Sequence, residues 1–471
     1  MARSDATTEA TSRLGAVLAP LALAQFICSF AGSNMNVMID SISKDLGTDV
    51  KGVQTAITIF LLVMAALMIP GGKLTVKFGR TRLLTIGLTV YGAGALIAAL
   101  SPGLGVLILG YSLLQGIGTA LLIPPVYILT TLYFTSVTSR AKAFGTISAA
   151  GGVGAAAGPL IGGLIASAIS WRAAFVFQAL VVVVIVLLSR RLKDPLPAEP
   201  GRRFDVVGAV LSAAGLVLIV TGILAASVNG WLTVILVVAG ALVLVWFFAT
   251  VRAKERAGVE PLLSTKLFRS RASNLGLVTQ NLQWLMLLGT SFTVATYLQV
   301  VRGYDPIQTG VVFTASTVGL LGSSLLAGRF AQHRTQKTLI IAGFAMTAIG
   351  IAILILLVGT HSTPWAFVPG LLVVGLGLGL MLTPSVNIVQ GAFPDSLQGD
   401  ISGLSRSVSN LGSSLGTAIA GTILVAGLSG GGYGAAMTVL MVGGLVGVVF
   451  AALLPKEGKP VPAGEAAQAR S

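Results

Sequence analysis

The sequence predicts an all-α integral membrane protein of about fourteen transmembrane helices. Three observations carry this. The 471-residue chain is 55% hydrophobic and only 10% charged, with a mean hydropathy of +0.93; a soluble domain carries roughly a quarter charged residues. Apolar stretches long enough to cross a bilayer core, ~20 residues each, recur along its length. All 15 Asp and Glu fall in loops, tails or at the ends of those stretches.

The expected spans are 14–39, 52–72, 83–101, 104–132, 143–168, 173–189, 206–227, 231–251, 274–301, 308–328, 338–359, 365–390, 401–425 and 434–454. The first is too long, and followed by too many others, for a cleaved signal peptide. It carries Gln25, Ser29, Ser33, Asn36 and Asp40 at steps of three or four, a polar stripe on one helical face. Lipid cannot satisfy such a face, so it turns toward protein or a water-filled cavity. Interhelical hydrogen bonding and cavity lining both stay open. Asp40, near the outer end, is either a solvated interface residue or a displaced proton carrier.

Between the second and third spans stands Gly72-Lys-Leu-Thr-Val-Lys77-Phe-Gly79-Arg80. The fourth carries Gln115, Gly116 and Gly118. The fifth carries Gly154-Ala-Ala-Ala-Gly158-Pro159-Leu-Ile-Gly162-Gly163. Small residues on one face let a neighbouring backbone approach closely, and Pro159 removes a backbone donor and bends the helix. The linker Arg190–Arg203 holds Pro195, Pro197 and Pro200 and closes the first half. Residues 140–163 then recur, ungapped, at 398–421: Gly145, Gly154, Gly158 and Gly163 meet Gly403, Gly412, Gly416 and Gly421. Gly116, Gly118 and Pro125 find echoes in Gly375, Gly377 and Pro384. Duplicated helical bundles with a substrate path between halves are one known transporter plan. Six spans fit each half. The expected organisation is a tail at 1–13, a six-helix bundle at 14–189, a linker at 190–205, two inserted helices at 206–251, a loop at 252–273, a second bundle at 274–454 and a disordered tail at 455–471.

The net charge of +15 does not mark a nucleic-acid binder. Of 30 Lys and Arg, all but Lys44, Lys51, Arg172, Arg302 and Arg406 fall on one side when the termini are cytoplasmic. That is the positive-inside pattern of a plasma-membrane protein, with the basic clusters touching anionic lipid. Arg406 lies inside the thirteenth span. It either snorkels to the inner headgroups or faces inward to hold an anionic group.

Neutral candidates for lining a ligand cavity are Gln25, Ser33, Asn36, Gln115, Tyr127, Gln283, Trp284, Tyr297, Asn387 and Asn410, with Arg406 as the charged one. Gln54, Thr58, Tyr111, Gln178 and Asn281 belong to the same class. Amides and aromatics suit bulky, mostly apolar ligands with few fixed contacts. Catalytic, cofactor and metal signals are absent. His333 and His361 fall in loops on opposite sides, the lone Cys28 permits no intrachain disulfide, and two G-x-S-x-G matches lack strand-to-helix context. No phosphate loop exists for ATP-driven transport.

The run GxxxGPxxGG in the fifth span resembles the fifth-helix motif of exporters in the major facilitator superfamily. The fourteen-helix drug/proton antiporter branch of that superfamily resembles most of the chain. Gly72 to Arg80, with Gly79, resembles its helix 2–3 loop, and Gln115-Gly-Ile-Gly118 its fourth helix. Trp171-Arg172 with Phe175, Phe204-Asp205-Val-Val-Gly208, and Tyr297-Leu-Gln299 followed by Gly303-Tyr-Asp-Pro306 and Gly310 resemble further joins. The resemblance implies a major facilitator fold of two six-helix bundles plus two inserted helices. It also implies conformational roles for Gly72, Gly79, Arg80, Gly154, Gly158, Pro159, Gly162 and Gly163. The chain departs from the family at three charged positions, where it has Ala31, Val76 and Ser112.

The resulting expectation is a monomeric secondary transporter that exports small amphiphilic molecules by alternating access, with membrane lipid as its other partner. Proton coupling would rest on Asp40. A facilitative or lipid-like transporter not driven by protons is one alternative, and a non-transporting membrane sensor or scaffold another.

Overall fold

The protein is described from a computed structural model covering residues 2–134, 137–201, 203–227, 229–330, 334–360, 363–393, 397–427 and 431–455. It is all-helical over those residues. Both histidines and the expected tail beyond Pro455 lie outside them.

The helices in order are α1 (Ala2–Asn34), α2 (Ile39–Asp45), α3 (Val50–Phe78), α4 (Arg80–Ala99), α5 (Leu104–Leu107), α6 (Gly116–Tyr133), α7 (Val137–Ala168), α8 (Trp171–Ser189), α9 (Val206–Leu224), α10 (Gly230–Arg256), α11 (Arg271–Thr296), α12 (Pro306–Phe330), α13 (Gln336–Thr360), α14 (Phe367–Gln390), α15 (Gln398–Ala426) and α16 (Gly432–Ala452). A 3₁₀ turn, Met35–Met38, joins α1 to α2, and π-helical stretches occupy Ile108–Gln115 and Tyr297–Val301. Thirteen helices of the described residues are long and apolar enough to cross a membrane. The 25-residue α12 stands where the remaining expected span lies. α1 starts at Ala2, inside the segment expected as a tail, and the first span runs on to Asp45 rather than stopping at 39.

Local chemistry sets several starts. Asp49 accepts the Gly52 N–H at 2.7 Å ahead of α3, Ser170 the Ala173 N–H ahead of α8, and Asn229 the Trp231 and Leu232 N–H groups ahead of α10. Each satisfies amides that the first helical turn leaves orphaned. The α3–α4 turn is a single residue, Gly79, at φ +96°. Only glycine adopts that conformation cheaply.

The chain forms two compact units. One comprises residues 1–264 and 295–310, the other residues 265–294 and 311–471. The inserted α9 and α10 therefore belong with the first unit. They pack on each other and, through α9, on α3. Only 28% and 17% of their most apolar stretches are buried. Trp231, Leu242, Val245 and Trp246 of α10 are exposed, as lipid-facing side chains are in a bilayer.

The internal repeat is built into both units by the same contacts. In the first, α7 lays Gly154 against the backbone of Phe26 in α1; in the second, α15 lays Gly412 against that of Asn281 in α11. A Cβ at Gly118 would stand 2.6 Å from the Tyr91 nitrogen, and one at Gly377 2.6 Å from the Gly343 oxygen. Helices in a membrane gain little from apolar contact with each other, so close backbone approach supplies the attraction.

Replacing Gly118 or Gly377 by Ala forces backbone apart and is expected to cost about 1–3 kcal/mol, read as a lowered Tm in detergent. Gly403→Ala, whose added carbon meets nothing within 4 Å, leaves the Tm unchanged or raised.

Candidate functional site

Three polar clusters form in the first unit. The first surrounds the break in the first span. Gln25 is buried; its Nε2 donates to Ser29 Oγ at 3.1 Å, and its Oε1 accepts the Tyr127 hydroxyl at 3.2 Å. Tyr127 stacks on Phe144. The Ser33 hydroxyl bonds back to the carbonyls of Ser29 and Phe30 and packs on Gly158. The upper part of the stripe is thus spent on hydrogen bonds within and between helices. Asn36 lies in the 3₁₀ turn with its Oδ1 buried and without a partner among the described residues. Asp40 opens α2 and pairs with Lys44 at 2.7 Å, its side chain 26% exposed.

The second cluster sits where the π-helical stretch turns Gln115 inward. Gln115 Nε2 donates to Gln178 Oε1 at 3.0 Å, and that oxygen also accepts the Tyr91 hydroxyl at 2.7 Å. All three residues are fully buried. Ser112, at a position where the resembled family has a charge, donates to the Ala56 carbonyl at 2.7 Å. Tyr111 stacks on Phe60 with ring centres 4.6 Å apart. A neutral hydroxyl suits this site, where Ser112 is fully buried and a cation would be stripped of its water.

The third cluster is a knot at the feet of α3, α9 and α10, which the sequence did not disclose. Asp205, whose side chain is 3% exposed, pairs with Lys254 Nζ and accepts the N–H groups of Gly208 at 2.7 Å and Leu262 at 3.0 Å. Lys73 pairs with Glu260 at 3.2 Å. Beside them, the Arg80 guanidinium donates to the carbonyls of Pro197 (2.9 Å) and Leu196 (3.4 Å), while Asp194 accepts the Arg80 backbone N–H. Glu199 N–H reaches the Val76 carbonyl at 3.3 Å. The linker and the insert together hold the α3–α4 turn. Gly72 has only Pro124 near its missing side chain, whereas Gly79 has Asp194 beside it.

A further clasp ties the opposite end of this unit. Asp45 accepts the Trp171 Nε1–H at 3.0 Å and pairs with Arg172, which stacks over Trp171 and donates to the Ser101 carbonyl at 2.9 Å.

The fifth-helix motif has two seats. Gly154, Gly158 and Gly162 receive α1 at Phe26, Ser33 and Asn34; Pro159 and Gly163 receive residues 306–310. Tyr297 also belongs to this unit, with Arg302 over its ring.

In the second unit Asn281 donates to the Val408 carbonyl at 2.9 Å, and Ser405 to Gln280 at 2.8 Å. Gln283 is buried, Trp284, Arg406 and Asn410 are half-buried, and Asn387 is exposed. No ligand geometry joins these five.

The chain resembles known proteins over most of its length. It is 32% identical to the puromycin resistance protein of Streptomyces alboniger over 85% of this chain and 80% of that one. It is 30% identical to a probable actinorhodin transporter of Streptomyces coelicolor, covering 88% and 72% of the two. A cephamycin export protein of Amycolatopsis lactamdurans is 29% identical over 98% and 96%. A crystal structure of the peptide transporter POT in complex with sulfate superposes with a TM-score of 0.67 at 19% identity, covering 93% and 94%. The Major Facilitator Superfamily model matches residues 21–206 and 197–417. The chain belongs to the Major Facilitator Superfamily. It is a multi-pass transporter, not an enzyme, and the superfamily's fold is the one its helices adopt.

Burial raises the Asp205 pKa, but the Lys254 ammonium and the two backbone amides outweigh it and hold the carboxyl below 3.8. A depressed folded-state value stabilises the protein above the ordinary carboxylate range, and that stabilisation is lost as pH falls through the folded value. Asp205→Asn is therefore expected to lower the Tm at pH 7. The gap to wild type should narrow as the pH falls below 3.8; a gap independent of pH would exclude the charge as its source.

Proposed function

We propose that this protein exports amphiphilic small molecules of the antibiotic class across the plasma membrane by alternating access. The observation that carries the reading is the set of relatives. Three that each match more than four-fifths of this chain are named for puromycin resistance, actinorhodin transport and cephamycin export. The interior chemistry is of the same kind: the polar groups Gln25, Tyr127, Gln115, Gln178 and Tyr91 are neutral and bond one another, in apolar surroundings of the kind that suit bulky ligands with few fixed contacts. Both termini are cytoplasmic, following the distribution of Lys and Arg, and the protein works as a monomer in contact with lipid.

In this reading transport does not require Asp40 as a proton carrier. Its carboxylate is partly exposed, at the start of α2, and faces Lys44 rather than the interior of the bundle's polar clusters. Proton carriers within a membrane need a carboxylate whose ionisation the interior can tune. Ala31, Val76 and Ser112 offer none.

Reconstituted protein is expected to move puromycin or ethidium down a concentration gradient with or without an imposed pH gradient. Asp40→Asn should retain transport within about threefold. Loss of transport in that variant, or strict dependence on the pH gradient, would return Asp40 to the role of proton carrier. Absence of transport across a compound panel would instead favour a sensor.

A further inference from the structure

The end of α3, the start of α9 and the end of α10 meet at one rim of the first unit. A shallow pocket opens there, and its charged lining is Lys73, Lys77, Arg203, Asp205 and Glu260. Both acids are matched by cations. Asp205 pairs with Lys254, and Glu260 with Lys73 at 3.2 Å. That leaves Lys77 and Arg203. Neither has an acidic partner among the described residues. Lys77 Nζ lies 5.8 Å from the centre of the Phe78 ring, and Arg203 is exposed. The pocket therefore holds two cations in excess. The positive end of α9 adds no attraction for an outside anion, because Asp205 already occupies it by accepting the Gly208 N–H.

Beside these charges the surface is apolar. Phe204 lines the pocket itself. Val206, Val210 and Val217 recur along one face of α9 and are all exposed. A soluble phosphate would meet the two cations and leave that face uncovered. A phospholipid would cover both parts, with its phosphate at the cations and its chains along the valines.

We propose that this pocket binds one anionic phospholipid. Lys77 and Arg203 hold the phosphate, and the exposed face of α9 receives the acyl chains. Basic pockets at the ends of membrane helices bind anionic headgroups in this way. The bound lipid joins α3 to the inserted pair, whose most apolar stretches are only 28% and 17% buried. The inference is independent of what the protein transports.

The test uses the full chain purified in a neutral detergent. Native mass spectrometry counts the lipid retained as dioleoyl phosphatidylglycerol or dioleoyl phosphatidylcholine is added. One phosphatidylglycerol should be retained ahead of any phosphatidylcholine and should raise the Tm. Lys77→Gln and Arg203→Gln should each weaken its retention about fivefold, the scale of one cation beside an anionic lipid. The double variant should weaken it about 25-fold if the two act independently. Lys77→Arg, which keeps the charge, should retain the lipid. Arg191→Gln removes an exposed linker cation outside the pocket and should change nothing. Glycerol 3-phosphate, which has no chains to bury, should compete at least roughly tenfold more weakly than the lipid. Equal retention of the two lipids, or a loss in Arg191→Gln as large as that in Lys77→Gln, would show diffuse attraction and overturn the proposal. Competition by glycerol 3-phosphate at the lipid's own concentration would overturn the lipid as occupant and assign the pocket to a soluble phosphate.

Discussion

Helix meets helix in this protein through backbone. Lipid tails are as apolar as leucine, so burying leucine against leucine gains little in a bilayer. What remains is close contact and hydrogen bonding, and glycine permits both. Gly118 against α4, Gly154 against α1, Gly377 against α13 and Gly412 against α11 all place one helix within reach of the next helix's main chain. Gln115 meets Gln178 and Gln25 meets Tyr127 between helices of the same unit.

Charge is used at the ends. Asp205 with Lys254, Lys73 with Glu260, and Asp45 with Trp171 and Arg172 sit at the rims. The clusters within the described spans of the first unit are built of amides and hydroxyls, and Arg406 stands half-buried in α15. The neutral residues Ala31, Val76 and Ser112 belong to this pattern. Val76 meets Glu199 through its backbone carbonyl, so the linker grips the α3–α4 turn without an acid at that position.

Much of the fold was legible because a lipid-facing helix must announce itself in some twenty apolar residues. The repeat was legible because glycine at a crossing is costly to replace, and Gly154 and Gly412 stand at matching positions in the two halves. The polar stripe from Gln25 to Asp40 was also visible, though its internal hydrogen bonding was not. Asn34 and Asp194 leave no mark in the sequence, and Gln299 is legible only as part of a family join, for physical reasons. Asn34 lies off the stripe's face, and its neighbours Gly158 and Gly162 are over a hundred residues away in sequence. Gln299 matters through the main chain of Asn36 and Asp40, and no side-chain pattern records a main-chain partner. The break at Met35–Met38 has neither proline nor glycine to signal it, and Asp40 was placed at a helix end when it begins a helix of its own.

The segment 295–310 bears on how the protein is made. Synthesis runs from the N-terminus, so α1 to α10 and the knot at Asp205 can assemble while the second half is still on the ribosome. The seat formed by Pro159 and Gly163 must then stand empty until α11 has been threaded through the bilayer and its far end delivered. The first unit is therefore finished only by a piece of chain that arrives late, from inside the second. Cutting the gene between the insert and α11 would yield a first fragment that inserts and packs but lacks its last stretch of wall, and the quality-control machinery of the membrane would meet it in that state.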